Sequence, residues 1–197
     1  MPSVVLVDSG GTNIGSVRYA LQRLGVDARL ADDALTIRAA SHVILPGVGA
    51  AAPGMARLRE AGLVDVVRGL TQPVLGVCLG MQLLFDHSEE SDTRCLGLIP
   101  GRLRRFTGDT LRVPHMGWNA LQPARPHALL AGIEAGSFAY FVHSYAAPVG
   151  DYTLASTDYG GGFSAIVQRG NFFGAQFHPE RSAAVGTQLL RNFIGLN

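Results

Sequence analysis

Three apolar runs with no polar break, Val4–Val7, residues 43–45 and residues 74–77, lie in the N-terminal half of the chain and are separated by helical patterns. A strand that is apolar at every position is buried on both faces, as in a parallel sheet covered by helices on either side. Residues 16–24 place Val17, Ala20, Leu21 and Leu24 at helical spacing, with Gly25 just past the end. Residues 27–30 and 42–45 are further strand candidates. Residues 57–70 read as mostly helical, with Gly62 as an interruption, and a further helix opens over residues 80–85. The alternation predicts an α/β fold: an open, mainly parallel sheet flanked by helices.

Beyond about Cys95 the pattern changes. Short strand candidates at residues 98–106, 118–121, 137–142, 153–157, 165–168 and 172–177 follow one another with gaps mostly too short for helical crossovers. They read as antiparallel strand additions or edge strands in the C-terminal half. A last helix is expected over residues 183–193. The 197 residues hold no internal repeat, low-complexity tract or linker, so a single domain spanning 1–197 is expected.

Hydrophobic residues make up 47% of the chain and charged residues 16%, which suits a substantial core and excludes a disordered chain. The net charge is +1, and basic residues cluster only around residues 102–105, so a nucleic-acid interface is not expected. The apolar runs are strand length, too short to span a membrane, and no secretion signal is visible. With two cysteines, Cys78 and Cys95, a disulfide framework is not expected either. A cytoplasmic protein with reduced thiols is the reading, and neither a metal site nor a cofactor is predicted.

The reactive pattern begins at Pro73-Val74-Leu75-Gly76-Val77-Cys78-Leu79-Gly80-Met81-Gln82. A buried strand runs through a small-residue turn into a helix, the logic of a nucleophile elbow with cysteine in a G-x-C-x-G frame. Gly76 and Gly80 permit the turn and close strand–helix packing. Cys78 is then expected to stand exposed above the sheet, at a helix N-terminus that favours its thiolate. Near the other end, Gly174-Ala175-Gln176-Phe177-His178-Pro179-Glu180 follows a strand. Pro179 keeps His178 out of the helical region, and residues two apart in an extended segment share a face. His178 and Glu180 therefore suit an imidazole base and the carboxylate that orients it. Pro46-Gly47-Val48-Gly49-Ala50-Ala51 places glycine-rich backbone at the end of a strand. It can offer an amide N–H to a developing oxyanion, together with the N–H of Leu79.

The segments PGVGA, GVCLGMQ and FHPERS together resemble the class I (triad) glutamine amidotransferases. PHMGWN at residues 114–119 and YFVHSY at residues 140–145 narrow the resemblance to one branch. Its members are glutaminase subunits of the histidine-biosynthetic synthase that makes imidazole glycerol phosphate. The resemblance covers essentially the whole chain and implies a flavodoxin-like open sheet. It implies Cys78 as nucleophile, His178 as acid–base partner and Glu180 as orienter, with Gly47, Val48 and Leu79 around the oxyanion. Gln82 and Glu90 would help hold glutamine, and the backbone of His143, Ser144 and Tyr145 would grip its amino-acid end. Asn13, Trp118, Asn119, Tyr140 and Arg181 would face the partner, a (β/α)8-barrel cyclase subunit that receives the ammonia. Two departures stand out: Ser9-Gly10-Gly11-Thr12 replaces an aromatic-glycine pattern in the first turn, and Arg181 stands where many relatives have lysine.

Rival readings fare worse. The glutaminase subunit of pyridoxal phosphate synthase carries a Gly-Gly-Glu-Ser-Thr segment where this chain reads PGVGAA. A non-enzymatic regulator with an elbow cysteine would lack the His-Pro-Glu segment. Residues 9–15 do not have the glycine spacing of a dinucleotide fingerprint.

Overall fold

The structure is a computed structural model that describes residues 2–8 and 14–196. The N-terminal elements are β1 (Val4–Val7), α1 (Ile14–Gln22), β2 (Arg29–Ala31), α2 (Ala34–Ala39), β3 (His42–Gly47), α3 (Ala51–Glu60), α4 (Val64–Arg68), β4 (Val74–Cys78) and α5 (Leu79–Leu83). The strands β5 (Phe85–Ser88), β6 (Thr93–Arg94), β7 (Ile99–Arg105), β8 (His115–Ala120), β9 (Gln122–Pro123), β10 (Phe138–His143) and β11 (Tyr145–Ala146) come next. The chain closes with β12 (Thr153–Asp158), β13 (Gly162–Arg169), β14 (Phe172–Ala175) and α6 (Ala183–Ile194).

The central sheet has the order β2-β1-β3-β4-β14-β13-β12-β9. Pairing is parallel from β2 through β14 and antiparallel from β13 outward. Alternate residues of the apolar runs feed two cores. Val4, Leu6, Ile44, Leu75 and Val77 pack with α1 and α6 on one face. Val5, Val7, Val43, Leu45 and Val74 pack with α2 to α5 on the other. Burial on both faces is why these strands read as unbroken apolar runs.

The expected α/β architecture is present, with three differences. Residues 172–177 were expected as an added or edge strand. Instead β14 lies between β4 and β13, parallel to the first and antiparallel to the second, and all four of its residues are buried. The expected helix over residues 57–70 is two helices, α3 and α4, parted by Gly62 at φ +68. Helix α2, not expected, starts at Asp33, whose carboxylate accepts from the Thr36 N–H at 2.8 Å. Two smaller sheets, β10-β8 and β11-β7-β5-β6, build up the side of the molecule around the carboxyl ends of β3 and β4. Among the described residues, no helix is long and apolar enough to cross a membrane.

Candidate active site

Strand β4 ends on Cys78 and α5 begins at the next residue, so the chain reverses within a single peptide. Cys78 takes φ 52 and ψ −109 to make that turn. For a residue with a Cβ this conformation costs about 1–3 kcal/mol and persists only where the surroundings enforce it. The enforcement is close packing. A Cβ on Gly80 would collide with the Leu45 carbonyl, and one on Gly76 would stand 2.6 Å from backbone atoms of Gly80 and Met81. Both elbow glycines are therefore steric requirements.

From sequence Cys78 is expected to stand exposed above the sheet; the structure buries it. Cys78 is 7% exposed, and its Sγ lies 3.9 Å from the Val142 carbonyl. The strand that ends in His143 passes over it and turns the exposed elbow into the floor of a cleft. Helix α5 has only five residues, which limits the dipole support expected for a thiolate.

His178 follows β14, the immediate neighbour of β4, and its backbone N–H donates to the Tyr140 carbonyl at 3.0 Å. Its backbone is extended, as Pro179 requires, but Pro179–Arg181 then forms a short 3₁₀ turn. The turn, and not a shared strand face, brings Glu180 back to the ring. The imidazole Nδ1 donates to Glu180 Oε1 at 2.9 Å, with both side chains buried. The Ser182 hydroxyl ties the turn down, donating to the His178 carbonyl at 2.7 Å and accepting from the Tyr140 N–H at 2.9 Å. Burial alone would lower the His178 pKa. Hydrogen bonds to Cys78 and Glu180, with the negative charge of both partners, outweigh it and raise the value to about 10. The ring is thus held as imidazolium beside the sulfur.

These groups sit in a cleft of about 330 Å³ at the carboxyl ends of the central strands, where open α/β sheets bind ligands. Cys78, His178, Val48, Leu79, Gln82 and Glu90 line it, together with His143, Ser144 and Tyr145 from the opposite wall. Gly47 pairs in register with Cys78 on the neighbouring strand. Gln82 donates through Nε2 to the Tyr145 carbonyl at 3.0 Å and to Gln176 Oε1 at 3.1 Å. Glu90 Oε2 accepts from the Ala51 N–H at 2.7 Å, at the first residue of α3.

The residues expected at a partner interface divide. Trp118 and Tyr140 pair across the antiparallel β8–β10 sheet with ring centroids 5.8 Å apart, on a face that also exposes Met116 and Phe138. The Asn119 side chain turns to the inner face, donating to the Asp158 carbonyl at 2.8 Å. Arg181 is exposed at the end of the Pro179–Arg181 turn, and Asn13 lies outside the described residues, as do Ser9 to Thr12.

Sequence reasoning missed Gln176, which is fully buried and places Nε2 3.9 Å from Cys78 Sγ. Its signal was a lone amide inside the apolar segment Gly174-Ala175-Gln176-Phe177. Pro114 and Val142 also line the cleft without having been singled out. Cys95 is buried in the core, and burial raises its pKa to about 11, so it is a poor nucleophile. Among the described residues, no group of three or more His, Cys, Asp or Glu is arranged to hold a metal ion.

A cysteine elbow joined to a buried His–Glu pair at the end of a parallel sheet is the arrangement of a thiol amidotransferase. The model of the glutamine amidotransferase class-I family matches residues 5–196, and the chain belongs to that family. Among curated relatives it is 59% identical to the imidazole glycerol phosphate synthase subunit HisH of Xanthomonas axonopodis pv. citri (strain 306), over 100% of this chain and 99% of that one. It is 57% identical, over the same shares, to the HisH subunit of Xylella fastidiosa (strain Temecula1 / ATCC 700964). Within the class-I enzymes the chain belongs with the HisH subunits. Solved structures share the fold at lower identity. One is a glutamine amidotransferase at TM-score 0.75 and 22% identity, covering 98% of this chain and 100% of that one. Another is PurLQS from Thermotoga maritima at TM-score 0.75 and 18% identity, covering 99% of each.

Proposed function

We propose that this chain hydrolyses glutamine through a Cys78–His178–Glu180 triad and delivers the ammonia to a (β/α)8-barrel cyclase subunit. The observation that carries the reading is the 2.9 Å bond between His178 Nδ1 and Glu180 beside a buried elbow cysteine. In the first step the Cys78 thiolate attacks the side-chain amide carbon of glutamine. The oxyanion accepts from the Leu79 N–H and from an N–H of the Gly47–Val48 segment, donors worth roughly 3–4 kcal/mol in such sites. His178, held protonated by Glu180, passes its proton to the amine. The C–N bond breaks, ammonia leaves and a γ-glutamyl thioester remains on Cys78. His178, now neutral, takes a proton from water, whose oxygen attacks the thioester. Glutamate leaves and the thiolate–imidazolium pair is restored.

Gln82, Glu90 and the His143–Tyr145 backbone hold the substrate. Ammonia released to bulk water is protonated at neutral pH and loses its nucleophilicity. Delivery through the cyclase barrel keeps it neutral until it reaches the phosphoribulosyl-formimino aminoimidazole-carboxamide ribonucleotide. The products there are imidazole glycerol phosphate and an aminoimidazole carboxamide ribotide. The exposed Met116–Trp118–Phe138 face beside Tyr140 supports the docking of such a partner.

A diazoketone analogue of glutamine tests the triad directly. One adduct is expected, on Cys78 and suppressed by glutamine; labelling of Cys95 alone, or labelling that glutamine does not suppress, would contradict the reading.

A further inference from the structure

Two buried histidine rings, that of His143 in the cleft wall and that of His115 packed against it, have no place in the triad chemistry. His115 on β8 and His143 on β10 face one another in register across this antiparallel strand pair, and His115 Nδ1 lies 3.2 Å from His143 Nε2. Hydrogen bonds at either end fix every proton. His143 Nδ1 is 2.8 Å from the Tyr145 carbonyl, which can only accept, so Nδ1 carries the hydrogen. Asn119 is fixed as well. Its Oδ1 accepts from the Ala120 N–H at 2.8 Å and its Nδ2 donates to Asp158, so Nδ2 also points at His115 Nε2, 3.3 Å away. His115 Nε2 therefore accepts, its Nδ1 donates, and His143 Nε2 accepts. A second proton on either ring would set two donors against each other, so both rings are neutral.

We propose that His115 and His143 are a positioning pair that fixes the Tyr145 carbonyl and, through it, Gln82 beside Cys78. The Tyr145 carbonyl accepts from His143 on one side and from Gln82 Nε2 on the other. Gln82 in turn donates to Gln176, whose amide lies against the Cys78 sulfur. The wall that grips the substrate and the floor that carries the nucleophile are thus joined through one carbonyl oxygen. Burial depresses both histidines, His115 to about 4 and His143 to about 3, which keeps the arrangement intact at neutral pH. Each ring also packs on aromatic neighbours, His115 against Tyr159 and His143 against Phe106, so phenylalanine can replace either ring's shape without its hydrogen bonds.

This inference rests on the glutaminase reading, and two measurements separate the two. The first is ¹⁵N NMR of the histidine rings in the full-length wild-type chain at neutral pH. Both His115 and His143 are expected as the neutral Nδ1–H form; an Nε2–H form or a charged ring at either position would overturn the pair. The second is glutamine turnover with the cyclase and its nucleotide ligand present. His143→Phe is expected to raise KM for glutamine roughly tenfold, the scale of one buried hydrogen bond, with kcat within about twofold. His143→Asn, whose amide N–H occupies the Nδ1 position, is expected to recover most of the loss. Equal KM in the two variants means packing alone and overturns the proposal. A wild type that releases no glutamate contradicts the glutaminase reading, and the NMR result still decides the pair.

Discussion

Glu90 caps a helix that is remote from it in sequence: its Oε2 accepts from the Ala51 N–H at 2.7 Å, where Ala50 offers no side-chain cap of its own. The Glu90 backbone is held in turn by Ser88 Oγ and Thr93 Oγ1. One carboxylate therefore anchors α3 directly after the Gly47–Val48 segment while also lining the cleft. Glu90→Ala is expected to lower stability by about 1–2 kcal/mol through the lost cap, and Glu90→Gln, which keeps an acceptor, by less. Urea denaturation of the three proteins checks this; equal midpoints would show that the bond contributes nothing.

The elbow glycines make a sharper prediction. Gly80→Ala drives a methyl group into the Leu45 backbone, which cannot rotate away, and is expected to cost on the order of 3 kcal/mol or to prevent folding. Gly15→Ala, in α1 with open space around it, is expected to be neutral or stabilising by about 0.5–1 kcal/mol. Thermal denaturation of both variants measures the contrast, and a Gly80→Ala protein as stable as wild type would refute the packing described for the elbow.

A partner that activated the site by moving the proposed oxyanion donors would act on the Val48 peptide, which the flanking glycines leave free to flip. Gly47 is the wrong place to test it. A Cβ there would stand 2.7 Å from the Gly80 N and 2.9 Å from Leu79 Cβ, disturbing the elbow whether or not the peptide flips. At Gly49 an added Cβ meets nothing within 4 Å, so its effect is confined to backbone strain at φ +94, which biases the segment away from its resting conformation. Gly49→Ala is expected to flatten the stimulation of glutaminase by the cyclase ligand while leaving the fold intact by circular dichroism. Full stimulation in that variant would rule out a flip that depends on Gly49.

The histidines give the stability profile two limbs of opposite origin. His178 is raised from 6.5 to about 10, so its contribution is present below about 6.5 and is lost as pH rises through about 10. His115 and His143 are lowered from 6.5 to about 4 and about 3, so their contribution is present above about 6.5 and is lost as pH falls toward those values. Urea midpoints across this range should show His178→Gln removing part of the alkaline loss and His143→Phe part of the acid loss. Unchanged limbs in both variants would contradict the assignment.

How far the sequence could be read follows from range. Val4–Val7 and the run into Cys78 declared a buried parallel sheet because their burial on two faces is written into consecutive residues. The elbow glycines were legible for the same local reason. The place of β14 was not, since which strand lies beside β4 depends on packing across the whole chain. The His178–Glu180 contact was anticipated, but its route through a 3₁₀ turn was not, because Pro179 both blocks a helix at His178 and suits the first position of the turn after it. Burial of Cys78 and the His115–His143 pair arise where β10 meets β4 and β8, and the seating of Gln176 where the end of β14 meets β4, between residues far apart in the chain. No local pattern encodes such meetings.

The central claim is tested most directly by measuring glutamate released from glutamine by this chain, alone and with the cyclase subunit and its nucleotide ligand, with Cys78→Ala as the blank. The account predicts strong release only with partner and ligand, abolished in the variant. Release that persists in Cys78→Ala, or none under any condition, would contradict it.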